Sequence, residues 1–189
     1  MMKKDRTRIL VECGLMIAMA TVLGYIPIFQ MPMGGTVTLC SVAPLVMVSF
    51  RHGAKWGVFT GAVHGLIQMF LGFENVLYCK TIWAMLGCIL LDYIIAFAAT
   101  GLSCVFGAGF KNRTVAAAVG TTATGLIRYL CSFLSGILIW GAYAPEGTPV
   151  WVYSLTYNGS YMIPEIIITT VAMTVMMRVF ENRLFAARV

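Results

Sequence analysis

Residues 81–106 read TIWAMLGCILLDYIIAFAATGLSCVF, and Asp92 is the single charged side chain in the run. About 20 mostly apolar residues carry a helix across the hydrocarbon core, so this stretch is long enough to span a bilayer. The same character extends outward along the chain. Of its 189 residues, 60% are hydrophobic and 11% charged, which is too little polar surface to coat a soluble globule. Hydropathy places spans near residues 9–29, 37–50, 56–73, 81–106, 115–140 and 150–180. The expected fold is an all-α integral membrane protein, a bundle of six transmembrane helices forming a single domain over residues 1–189. The second span is short and contains Pro44, which predicts a kinked, tilted or partly re-entrant segment. The basic start, residues 1–8, is followed by an apolar run without a cleavage site, and we read that run as a retained first helix.

Orientation follows from the basic residues. Lys3, Lys4, Arg6 and Arg8 precede the first span, Arg51 and Lys55 separate the second from the third, Lys111 and Arg113 the fourth from the fifth, and Arg178, Arg183 and Arg188 close the chain. These are eleven of the thirteen Lys and Arg residues. Positive charge is retained in the cytoplasm, which predicts a multi-pass protein of the cell membrane with both termini inside. The excess is not a nucleic-acid footprint, because it is neither clustered on one face nor interleaved with aromatics. The six cysteines are scattered through apolar stretches with no C-x-x-C pair or zinc spacing, and read as small buried hydrophobes rather than metal ligands. Phosphate-loop, nucleophile-elbow and zincin motifs are missing from the sequence. We therefore expect no catalytic residues, no cofactor and no ATP hydrolysis by the chain itself.

Ionisable groups inside a bilayer are costly and mark function by default. Counting inward at about 1.5 Å per residue, Asp92, Arg128 and Glu165 all fall roughly 16–21 Å below the outer surface. Arg128, Ser132 and Ser135 recur at i, i+4 and i+7 on one helical face, and Ser154, Asn158 and Glu165 share a face of the last span. His64 and Gln68 have a similar spacing on the third span. The pattern describes a cavity opening outward, although Ser, Asn and Gln also hydrogen-bond between helices for structure alone. Asp92 and Arg128 are compatible with a buried ion pair. Trp140, Trp151, Tyr153, Tyr157 and Tyr161 gather near the outer ends of the last two spans, where an interface belt is expected. Of these, Trp140 and Tyr153 lie at the cavity mouth. Residues 30–36 and 143–149, rich in Pro and Gly, suit either a lid or ordinary turns. Glu12 can reach the interface or pair with Arg8.

Four stretches carry a family resemblance: MPMGGTVTL at 31–39, SFRHG at 49–53, LLDYIIAF at 90–97 and APEGTPVWVYSLTYNGSYMIPE at 144–165. The chain resembles the thiamine-specific substrate-binding subunits of energy-coupling-factor vitamin transporters. The resemblance implies a six-helix bundle that binds the vitamin near its outer side and works with a transmembrane coupling subunit and two ATPases. It implies Asp92, beside Tyr93, for the thiazolium, Arg128 as the basic residue of the fifth span, Trp140 as a stacking aromatic, and Tyr153 and Asn158 as further contacts. Ser132 stands where some members carry His, and Thr38 or Leu39 where some carry Glu, so Glu165 is expected to supply the missing negative charge. Gly14 and Ala18 have small-xxx-small spacing on the first helix, which suits either docking of the coupling subunit or packing within the chain. A sister subunit for another small heterocycle, such as a thiamine precursor, and a ligand-free scaffold are the competing expectations.

Overall fold

The computed structural model describes residues 3–31 and 34–184, with side chains for 6–31 and 34–180. Pro32 and Met33 of the first outer loop, Arg188, and the side chains of Lys3, Lys4 and Arg183 lie outside that set. In chain order the elements are α1 (Lys3–Gly24), β1 (Pro27–Gln30), β2 (Thr36–Thr38), α2 (Ala43–His52), α3 (Ala54–Leu71) and the short α4 (Phe73–Leu77). A continuous helical rod over Ile82–Phe106 follows, composed of α5 (Ile82–Cys88), a π-helical segment (Ile89–Ile95), α6 (Ala96–Ala99), a 3₁₀ turn (Thr100–Leu102) and α7 (Ser103–Phe106). Then come α8 (Arg113–Leu138), a 3₁₀ turn (Gly141–Tyr143) and α9 (Val150–Leu184). The protein is an all-α integral membrane bundle in which α1, α2, α3, the rod, α8 and α9 correspond to the six expected spans.

By length and composition, Arg6–Gly24, Ile82–Phe106 and Val150–Phe180 are each able to cross a membrane alone. Two of the other three fall short for visible reasons. Helix α2 has 10 residues, about 15 Å at the helical rise, while α8 carries Arg128 and several hydroxyls. Large apolar side chains face outward around the bundle, with Trp83 79%, Leu138 72% and Phe70 71% exposed. Inside, Val42, Ala43, Val46, Met47, Ala117, Met173 and Met177 join α2, α8 and α9 in one cluster.

Three expectations are corrected. The first span does not run to residue 29: α1 ends at Gly24, and residues 27–30 form β1, paired antiparallel with β2 through Pro27↔Thr38, Phe29↔Val37 and Gln30↔Thr36. Pro27 explains this, because it lacks the N–H a continuing helix needs and disfavours helical geometry in Ile26 before it. The second span does not begin at 37, since Val37 and Thr38 belong to β2. Pro44 does not kink that helix either. It occupies the first turn, where its missing N–H has no intrahelical partner to lose.

Two further features set the geometry of the interior. A Cβ on Gly61 or Gly65 would collide with the carbonyl oxygens of Phe97 and Tyr93, so these glycines let α3 lie directly against the π segment and α6. At the opposite end, Glu12 on α1 meets Arg8 at 3.3 Å, Arg51 at 3.0 Å and His52 at 2.7 Å. That cluster ties α1 to the end of α2 and extends the expected Arg8 contact.

Candidate ligand-binding site

A cavity of about 400 Å³ lies at the end of the bundle where α1, α3 and α8 finish and α9 begins. Small-molecule sites typically measure about 300–1,000 Å³. Its walls come from α1 (Thr21, Gly24), α3 (His64, Gln68), the π segment (Asp92, Tyr93), α8 with the residues after it (Arg128, Ser132, Trp140) and α9 (Tyr153, Asn158, Tyr161, Glu165). The β1–β2 hairpin contributes Gly34, Gly35, Thr36 and Thr38. All eight residues singled out in the sequence therefore line one cavity. Gly14 and Ala18 lie elsewhere, on an exposed face of α1, and nothing stands within 4 Å of the position a Cβ on Gly14 would take.

Asp92 sits on the π segment, a helical irregularity that recurs at functional sites. Its Oδ2 accepts from Ser135 Oγ at 2.6 Å and from Trp140 Nε1 at 3.3 Å. Asp92 and Arg128 do not pair. The Arg128 guanidinium instead lies 4.6 Å from the centroid of Phe97, a cation–π arrangement, and its buried Nε has no hydrogen-bond partner. The other face of the site is similarly ordered. Asn158 donates to Ser154 O at 2.9 Å and Ser132 O at 3.2 Å, and its Oδ1 accepts from Tyr161 at 2.7 Å. Tyr93 donates to Gly72 O at 3.3 Å and accepts from Asn75 at 3.4 Å.

The hairpin is held down by α9. Thr38 donates its main-chain N–H to Glu165 Oε2 and its hydroxyl to Glu165 Oε1, both at 2.7 Å. Tyr157 donates to Gly34 O at 2.9 Å. Gly35 has φ +91, and a Cβ there would press on the Tyr161 ring, so glycine is required on both counts. The carboxylate expected to compensate for the absent acid near position 38 thus reaches that position from a helix 127 residues away in sequence.

Several wall residues had no assigned role. Tyr153, Tyr157 and Tyr161 form a ladder on α9 with centroid spacings of 5.6 and 6.3 Å, and only the first was placed at the cavity. Their i, i+4, i+8 spacing was the available signal. Phe97, Thr21 and Asn75 carried none. His64 is buried, with Thr21 Oγ1 at 3.5 Å, Gln68 Nε2 at 3.4 Å and the edge of Phe97 at 5.0 Å between centroids.

A helical membrane bundle enclosing a ligand-sized chamber walled by tyrosines, one tryptophan, two carboxylates and an arginine defines a membrane protein able to hold a small molecule. Comparison with known proteins then supplies the family. The profile described as Thiamine transporter protein (Thia_YuaJ) matches residues 10–185, and the chain belongs to that family, one of transporters and not of enzymes. It is 37% identical over 175 residues to the thiamine transporter ThiT of Bacillus subtilis, covering 87% of each chain. It is 30% identical to ThiT of Lacticaseibacillus paracasei, covering 95% of this chain and 91% of that one. A solved structure of ThiT from Listeria monocytogenes matches with a TM-score of 0.76 at 23% identity, over 96% of this chain and 99% of that one, a likeness of fold.

Proposed function

We infer that this chain is the thiamine-binding subunit of an energy-coupling-factor uptake transporter in a bacterial cell membrane, acting as a single domain. The observation that carries the reading is the pairing, on one cavity wall, of the Asp92 carboxylate with the Trp140 indole. A permanent thiazolium cation is stabilised by a carboxylate and by aromatic faces. An aminopyrimidine needs donors and acceptors, which Tyr153, Asn158, Ser132 and Tyr93 provide. Arg128 closes the floor, and Glu165 holds the hairpin above it through Thr38. The closest roles of these residues are thus contact for Asp92, Trp140, Tyr153 and Asn158, and support for Glu165.

The cavity lies at the end of the bundle opposite Arg51, Lys55, Lys111, Arg113 and Arg178. Basic residues mark the cytoplasmic side, so the ligand enters from outside and both termini lie within. Uptake then requires the coupling subunit and two ATPases. The open space above Gly14, next to exposed Leu10, Leu15 and Met19, supports α1 as the surface that meets the coupling subunit. Titration of thiamine, its phosphates and its pyrimidine precursor against the purified protein tests the assignment. At a hundredfold excess over Kd, thiamine should raise stability by about 2.7 kcal/mol. A larger gain with the precursor would reassign the ligand, and no gain with any of them would leave a scaffold.

A further inference from the structure

Beneath the ligand cavity lies a second, much smaller chamber of about 10 Å³, lined among others by Val46 of α2, Thr121 and Arg128 of α8, and Glu165 and Thr169 of α9. Arg128 and Glu165 line both spaces and so form the partition between them. Among the described residues, four buried side-chain polar atoms lack a hydrogen-bond partner: Arg51 Nε, Thr121 Oγ1, Arg128 Nε and Thr169 Oγ1. Arg51 Nε is accounted for by Glu12, 3.0 Å away in an ion pair. The other three all belong to residues that line the small chamber.

Threonines in helices usually return their hydroxyl to a carbonyl one turn back. Thr21, Thr60, Thr124, Thr156 and Thr174 do so here, at 2.6–3.0 Å. Thr121 and Thr169 do not, although each is 3% exposed and has no access to bulk solvent. Leaving a buried polar group unsatisfied is costly, because it forfeits its bonds to water. The residues that carry these three atoms line one space.

We propose that the chamber binds one water molecule, which accepts from Arg128 Nε and bridges the hydroxyls of Thr121 and Thr169. The size agrees, since one water needs about 10–15 Å³, and buried waters typically make about three hydrogen bonds. The charges agree as well. A cation is excluded by Arg128, and a halide by its larger radius and by the Glu165 carboxylate on the same wall. The water pins the guanidinium from behind while Phe97 holds its face, so Arg128 meets the ligand cavity in one orientation. Thr121 and Thr169 are positioning residues for that guanidinium.

The test needs no thiamine, so it stands apart from the functional assignment. A high-resolution crystal structure of the purified full chain should contain one solvent peak within about 2.7–3.2 Å of all three atoms. An empty chamber overturns the proposal, as does an anomalous bromide peak there after soaking. Thermal melting of the Thr169→Val variant gives a second reading. The substitution should lower Tm by about 2–4 °C when Arg128 is present, and by less than half as much in an Arg128→Met background, where the water has lost its charged partner. Equal falls in the two backgrounds overturn the proposal.

Discussion

Asp92 is bonded to Ser135 and Trp140 and leaves Arg128 to Phe97. That arrangement decides what its replacement should do. If Asp92 neutralised Arg128, removing its charge would strand a buried cation at a cost of roughly 3–5 kcal/mol. Since it does not, Asp92→Asn should fold normally, because the amide oxygen still accepts from both donors. Thiamine affinity should fall at least tenfold, or about 1.4 kcal/mol. Isothermal titration and a melting curve on the same sample check both halves, and unchanged affinity would remove Asp92 from the ligand's contacts. At this scale the sequence was most informative where a charge stood alone in an apolar run, as with Asp92, Arg128 and Glu165. Tyr157 and Tyr161 were harder to see, because tyrosines near a membrane surface are ordinary. The resemblance linked Glu165 with position 38 only through a missing acid, and the hydrogen bond itself had no local signal, because the two residues stand 127 apart.

Among the elements, the long helices were legible from hydropathy and the hairpin was not. Residues 27–30 are as apolar as the helix before them, and the informative residue was Pro27, whose missing N–H outweighs hydropathy. The π segment at Ile89–Ile95 had no sequence signal either. It lies where the glycines of α3 bring the two backbones together. Helix α1 shows the reverse case, in which spacing of small residues alone marked a face that the fold leaves open. Gly14→Leu and Ala18→Leu should each abolish uptake by whole cells while leaving thiamine binding by the purified protein intact, because added bulk blocks a partner helix and touches no cavity residue. Uptake surviving both substitutions would move the docking surface elsewhere.

For the whole molecule, the orientation expected from the charge pattern is open to direct test. Arg51, Lys55, Lys111, Arg113 and Arg178 sit at one end of the bundle and the chamber at the other. Reporter fusions at each terminus should both register as cytoplasmic, and an external carboxy terminus would dismantle the six-span arrangement. The hairpin that lines the chamber suggests a kinetic test. Its hold on α9 rests on the paired bonds from Thr38 to Glu165 and the single bond from Tyr157 to Gly34. We predict that release of the vitamin waits on these bonds, a contact that need not touch the vitamin. Hydrogen bonds to a charged group are worth about 1.5–3 kcal/mol. Thr38→Val removes one of the pair, and stopped-flow tryptophan fluorescence should then record release at least about tenfold faster with a smaller change in association. An unchanged release rate would mean that the clock of this protein runs somewhere other than its hairpin.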